Sequence, residues 1–383
     1  MNMVEYSEYR LGLLCKRFSS GKGISADLIN ETGKYPVIGG NGLRGYTDTY
    51  NFDGECAVIG RQGAYCGNVQ FFSGKGYMTE HAVVTQPNSA NNAKYLTYKL
   101  SGLSLGRFSG QAAQPGLSVT KLARLRIEMP PKWYQDRVAG ILSAYDNLIE
   151  VNNKRIKVLE QIAENLYKEW FVRFRFPGHE KADFENGIPK GWRRGRISEF
   201  YTTSSGGTPS RELDEYYVDG TIPWIKTGEL QDCLLIDTEE RITEVAVKKS
   251  SAKFFPKDSV LMAMYGVNIG MLAYSTMDAT CNQACCVFRD KGNISTKHYL
   301  FQCLKSIRDY LLLISFGAAQ QNLSQDLIKR VRIVMPDEET VIRFEQKIEP
   351  LYNEIKHLLK ANACLIRQRD LLLPRLMSGK LEV

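Results

Sequence analysis

The chain contains a near-copy of part of itself, and that limits what it can fold into more than any other feature. AAQPGLSVTKLARLRIEMP, beginning at Ala112, aligns without a gap on AAQQNLSQDLIKRVRIVMP, beginning at Ala318, an offset of 318 − 112 = 206. Ala, Ala, Gln, Leu, Ser, two Arg, Ile, Met and Pro all recur, so two copies of one structural unit are expected rather than one continuous core. The repeat continues upstream more faintly. CAVIGRQGAYCGNVQF (56–71) resembles SVLMAMYGVNIGMLAY (259–274), with Gly63 and Gly67 falling on Gly266 and Gly270. SSGKG at Ser19 resembles SSGGT at Ser204. The offsets there are 266 − 63 = 203 and 204 − 19 = 185, so the second copy carries about 18 extra residues early on. Much of PSRELDEYYVDGTIPWIKTGEL (209–230) lacks an evident counterpart.

A long helical pattern follows each Met-Pro. In the first, Leu142, Tyr145, Ile149, Asn152, Ile156, Leu159, Ala163, Leu166 and Trp170 recur at alternating spacings of three and four. In the second, Phe344, Ile348, Leu351, Ile355, Leu358, Asn362 and Leu365 do the same. These are heptad seams, each with one polar Asn, and they predict a coiled coil between the two helices rather than two separate amphipathic helices. The first helix is expected over about 135–171 and is broken by Pro177 and Gly178. Short β-branched and aromatic runs such as KYPVIGG, GECAVIG, DSVLMAMYG and ACCVFRD predict mainly β domains, with shorter helices at 92–101 and 295–316. The expected layout is a first β-rich domain over 1–130, a long helix over 131–176, a linker over 177–191, a second β-rich domain over 192–336, and a second helix and tail over 337–383. The fold class is α+β.

Composition narrows the function. Lys plus Arg number 50 against 42 Asp plus Glu, a formal +8 that suits a polyanionic partner without singling one out. With 43% hydrophobic residues the chain can bury real cores. The nine cysteines are scattered, with no second pair to complete a zinc set beside Cys281, Cys285 and Cys286, and they read as reduced thiols in the cytoplasm. No apolar run is long enough for a membrane span. Neither GNGLRGYT nor SSGKGIS has the spacing of a nucleotide-binding P-loop. The one Pro-Pro, in MPPKW, lacks the neighbours of an amino-methyltransferase loop. The four histidines, His81, His179, His298 and His357, show no metal-ligand spacing, and His81 reads as a structural residue rather than a base. A binding module fits better than an enzyme, and no catalytic, cofactor or metal residue is expected.

The order of AAQPGLSVTKLARLRIEMP, NLYKEWFVRF at Asn165, GTPSRELDEYYVDGTIPWIKTGEL at Gly207, AAQQNLSQDLIKRVRIVMP and LLLPRLMSGKL at Leu371 resembles the specificity subunits of type I restriction–modification enzymes over nearly the whole chain. The resemblance implies two target-recognition domains, each followed by a long helix, with the helices antiparallel and a pseudo-two-fold axis. It also implies double-stranded DNA as ligand, two modification subunits docked on the helices, restriction subunits joining them, and S-adenosylmethionine bound by the modification subunits rather than here. Two differing recognition domains imply a bipartite site with an unread spacer. The alternatives are the DNA-binding half of a standalone methyltransferase or nuclease, and an assembly scaffold that reads no DNA.

Base edges are read by paired donors and acceptors on Arg, Lys, Asn and Gln. On glycine-bounded loops the first domain offers Arg44, Arg61, Gln62 and Tyr65, with Lys75 for phosphate; the second offers Lys226, Tyr265, Asn268 and Gln283. The loops before each Leu-Ser add Gln111, Gln114, Gln320, Gln321 and Asn322, of which Gln114 and Gln320 read as structural because both copies carry them. The partner-binding helices are marked by Leu142, Ile149, Asn152, Ile156, Leu159 and Leu166, and by Ile348, Leu351, Ile355, Leu358, Asn362 and Leu365.

Overall fold

The computed structural model describes residues 4–110, 116–292, 294–315 and 322–381. The chain divides into two compact units, one made of Met1–Glu150 with Cys364–Val383 and the other of Val151–Ala363.

In the first unit β1 (Ser7–Arg10) leads into β2 (Cys15–Ser20), β3 (Tyr35–Gly39), β4 (Gly42–Thr47), β5 (Phe52–Gly60), β6 (Val69–Met78) and β7 (Ala82–Pro87). Then come α1 (Ala93–Ser101), α2 (Val119–Ala123), β8 (Arg126–Met129) and the start of α3 (Lys132–Tyr167). Strands β2 to β7 form one sheet in the order β2-β7-β5-β6-β3-β4, and β1 pairs with β8. Side chains alternate across a strand, so β5 serves two cores. Ala57 and Ile59 face α1 residues Tyr95, Leu96 and Leu100 and the helix residues Tyr134, Val138, Leu142 and Leu376. Cys56 and Val58 pack on the other side with Ile38, Phe52, Met78 and Val84.

The second unit repeats this plan. It runs β9 (Phe184–Glu185), β10 (Ile188–Pro189), β11 (Arg193–Arg196), α4 (Ile197–Phe200), β12 (Tyr201–Ser205), β13 (Ile222–Ile225), β14 (Cys233–Leu235), β15 (Arg241–Ile242), α5 (Glu244–Lys249), β16 (Phe254–Phe255), β17 (Val260–Ala263), β18 (Leu272–Ser275), β19 (Ala279–Cys281) and β20 (Cys285–Asp290). It ends with α6 (Lys297–Ser306), α7 (Arg308–Ser315), α8 (Gln325–Arg330), β21 (Arg332–Met335) and α9 (Glu338–Met377), whose last part belongs to the first unit. The helix expected over 295–316 is interrupted at Ile307.

Strand registers identify the equivalent positions. The parallel pair Val37↔Tyr77 matches Trp224↔Thr280, with offsets of 224 − 37 = 187 and 280 − 77 = 203. The antiparallel pair Tyr35↔Thr47 matches Ile222↔Ile242, the latter offset being 242 − 47 = 195. The long strand β6 is therefore one element in the first unit and two, β18 and β19, in the second. The extra residues fall mostly after β13, and the IPWI of 222–225 has a counterpart after all in the YPVI of 35–38.

The helix seams pack as antiparallel pairs. In the second unit Asn152 donates to Asn362 (2.9 Å) and Arg155 pairs with Glu354 (2.7 Å), while Trp170 and Phe171 reach Phe344 at the far end. In the first unit Arg369 pairs with Asp146 (2.7 Å), and the Tyr134 hydroxyl donates to the Leu376 carbonyl (3.0 Å). Helix α3 closes in a π-helical turn, Lys168–Val172. The stretch expected as a linker is folded: β9 and β10 form a hairpin, and Phe176, Ile188 and Trp192 are buried against Phe171 in the core of the second unit.

Candidate nucleic-acid interface

The loop after β5 and the loop after β17 have the same backbone. In the first, Gly60 donates to Asn68, Gly67 to Gly60 and Asn68 to Tyr65 (2.8, 2.8 and 3.0 Å). In the second, Ala263 donates to Met271, Gly270 to Ala263 and Met271 to Asn268 (2.9, 2.8 and 2.9 Å). Both glycines of each loop have positive φ: 81° and 88° at Gly63 and Gly67, 87° and 78° at Gly266 and Gly270. That backbone region suits glycine because a Cβ clashes there. The same neighbours hold each loop. Arg61 donates to the His81 carbonyl (2.9 Å) and Met264 to that of Ala284 (2.8 Å), and Leu117 and Leu323 donate back to the Arg61 and Met264 carbonyls (2.9 and 2.8 Å). Ser118 and Ser324, which follow, cap α2 and α8 by accepting from Lys121 and Leu327. A further shared contact lies at Gly21 and Gly206, where a Cβ would collide with the carbonyl of Met78 or Cys281.

The backbone brings four basic residues to the first loop or to the segments next to it, the Arg107 guanidinium lying over the Phe108 ring (4.8 Å). The Arg44 side chain lies across Gly39; Gly40 abuts Gly60 and the His81 carbonyl; Gly67 abuts Gly106, beside Arg107; and the Lys22 amide donates to Met78 (2.9 Å). Among the described residues Lys22, Arg44, Arg61 and Arg107 have no carboxylate partner. Gln62 and Tyr65 are exposed beside them. Lys75 is elsewhere: it stands opposite Asp53, pairs with it at 4.0 Å and covers the Tyr50 ring. It lies six residues along β6 from the loop, about 20 Å at ~3.3 Å per residue.

The second loop has less free charge. Lys226 pairs with Glu240 (2.8 Å) and Glu239 (3.1 Å), and the hydrogen bonds it donates to these carboxylates hold its ammonium pKa above the ordinary range. Arg308 is joined to Asp232 and to the Gly270 carbonyl (2.9 Å), and Arg211 pairs with Glu240 (2.7 Å). The Asn268 amide donates to the carbonyls of Thr227, Gly228 and Leu230, so this side chain holds the loop in shape. The Tyr265 side chain is about a third exposed, its partial burial pushes the hydroxyl pKa above the ordinary value, and Gln283 accepts from Thr208. Asn322 is exposed next to Leu323. Gln111, Gln114, Gln320 and Gln321 lie outside the described residues. Sequence reasoning missed Lys22 and Arg107, and also Val267, which is fully exposed at the middle of the second loop (104% relative exposure).

A family model described as the type I restriction modification DNA specificity domain matches the chain twice, over residues 3–161 and 189–360. The chain belongs to this family. It is 28% identical over 316 residues to the type I restriction enzyme MjaIX specificity subunit of Methanocaldococcus jannaschii, covering 78% of this chain and 71% of that protein. It is 39% identical over 166 residues to the type I restriction enzyme EcoprrI specificity subunit of Escherichia coli, covering 42% and 41%. The crystal structure of the type I restriction–modification S subunit from M. genitalium has the same fold, with a TM-score of 0.67 over 98% of this chain and 97% of that one at 16% identity. The two repeated units are thus the two target-recognition domains of a type I specificity subunit. Among the described residues no helix is long and apolar enough to cross a membrane.

Proposed function

We propose that each recognition domain reads one half of a bipartite double-stranded DNA site through its glycine-bracketed loop, leaving the spacer between the halves unread. The observation that carries this is the pair of loops: one backbone, held by the same hydrogen bonds, with different side chains in the two copies. A shared frame with exchanged side chains is what two differing half-sites require, because base edges are told apart by the groups presented to them. Arg61 and Gln62, with Arg44 and Tyr65, serve the first half. Tyr265, Gln283 and Asn322 serve the second, with Asn268 as the residue that positions its loop. Lys75 and Lys226 are at most phosphate contacts, since each already has a carboxylate neighbour.

In this reading the chain does no chemistry. Two modification subunits bind S-adenosylmethionine, methylate adenine and dock on the long helices, and restriction subunits join the complex in the cytoplasm. Helix α3 supports the docking: beside the seam it leaves Ile141 and Leu148 exposed in the first unit and Val151, Val158 and Ile162 exposed in the second. These apolar residues recur near heptad spacing on a helix whose seam is already filled.

The test is methylation mapping of DNA from cells that express the chain with its modification subunit. An asymmetric bipartite motif is expected. Replacing residues 61–67 by the sequence of 264–270 should change one half of the motif and leave the other intact. A continuous motif, or methylation by the purified chain alone, would overturn the reading. Failure of the chain to bind any sequence from a random duplex pool, with or without the modification subunit, would favour a scaffold that reads no DNA.

A further inference from the structure

We propose that Val267 reads a thymine in the second half-site through the 5-methyl group of that base. The inference rests on the DNA-reading role of the loop and adds the group that is read. Val267 is an apolar, β-branched side chain with no burial anywhere in the folded chain. It is presented by a stiff loop: Gly266 and Gly270 fix the turn, Ile269 donates to Gly266 (3.2 Å), and the Asn268 amide next to it is tied to three carbonyls. Arg308 fastens the end of the loop at Gly270 from α7. An exposed valine contributes nothing to the stability of this domain, so what its surroundings hold rigid is a recognition element.

The chemistry of the ligand follows from what valine lacks. It has neither donor nor acceptor, so it can distinguish a base pair only by apolar contact. The thymine 5-methyl is the one methyl group that an unmodified base pair displays in the major groove, and the minor groove displays none. The same position in the first loop is Ala64 (267 − 203 = 64), also exposed and also without a polar atom. The first loop, however, adds Arg61 and Gln62 beside it, whereas the second has Met264 and Tyr265. Reading by methyl contact is therefore assigned to the second half-site, where hydrogen-bonding side chains on the loop are fewest.

The experiment uses the chain assembled with its modification subunits and a duplex carrying the mapped site. Each thymine of the second half-site is replaced in turn by deoxyuridine, which removes only the methyl. One replacement should weaken binding of the unaltered complex by about fourfold, the size expected for one buried methyl. Val267→Ala should bind the normal site more weakly and lose most of its response to deoxyuridine at that position. Val267→Thr, which keeps a γ-methyl where Val267→Ala has only Cβ, should retain the response. Insensitivity to deoxyuridine at every thymine overturns the inference, as does an equal response in Val267→Ala. So does a Val267→Ala that no longer binds while deoxyuridine has no effect, since the valine would then act as a wedge between base pairs. In each of these outcomes binding to the bipartite site itself still reports separately on the DNA-reading role.

Discussion

Arg61 opens the glycine-bracketed loop of the first recognition domain, and Met264 stands in the same place in the second. In the first domain Lys22, Arg44 and Arg107 have no carboxylate partner among the described residues, whereas in the second the cations Lys226, Arg211 and Arg308 are all paired with acids. The main-chain bonds that hold the two loops differ by no more than about 0.2 Å. The frame and the reading surface thus vary independently. Glycines, carbonyls and a capping serine fix where the loop goes; Met264 is buried in the core, and the exposed side chains that differ are Gln62, Ala64 and Tyr65 in the first copy and Tyr265 and Val267 in the second. The second domain even tolerates splitting β6 into β18 and β19, with β14 added alongside β18, and keeps the loop unchanged.

The frame is where the two domains should behave alike, and there the largest effects are expected. Gly21→Ala and Gly206→Ala each drive a Cβ into a carbonyl oxygen. Each should destabilise its own domain by roughly 3 kcal/mol or more, seen by hydrogen exchange as loss of protection confined to that domain. If one of the two were harmless, the equivalence of the frames would be broken. The reading surface should separate the domains. Arg61→Ala should cost about 1–3 kcal/mol of binding and relax the first half-site only, as read by methylation mapping, while Met264→Ala should leave the first half untouched. The smallest effect concerns salt. Lys22→Ala should flatten the dependence of log K on log salt by about 0.9, because an unpaired cation releases counterions from DNA. Lys226→Ala should leave that slope unchanged, because Glu239 and Glu240 already neutralise it. Equal slopes for the two variants would mean that the charge contrast plays no part in binding.

What could be read from the sequence was what repeats or recurs locally. The gapless match at Ala112 and Ala318 carried the two-domain plan, and the heptad spacing carried the helix pairs, down to the one Asn in each seam that proves to meet the other. The match of Gly63 and Gly67 to Gly266 and Gly270 carried the loop, because positive φ leaves few other choices. What could not be read depended on partners distant in sequence. Asn268 is engaged by carbonyls some 40 residues earlier, and Lys226 by glutamates more than a dozen residues later, so both looked available. The folding of 177–191 rests on Trp192 packing on Phe171 and Phe176, which no local pattern announces. Val267 carries neither donor nor acceptor, so no base-reading pattern in the sequence marks it.

The makeup of the first unit also sets an order of events during synthesis. Its core includes Leu376, and the Tyr134 and Tyr6 hydroxyls donate to carbonyls at Leu376 and Met377, yet more than two hundred residues are made between Leu142 and that segment. At the usual ribosomal pace of about 5–20 residues per second, the first domain to emerge waits roughly tens of seconds for its last piece. The second, built from the uninterrupted stretch Val151–Ala363, has all its parts in hand sooner. The domain translated first is therefore the one finished last, and in the interval the apolar site that Leu376 fills stands open.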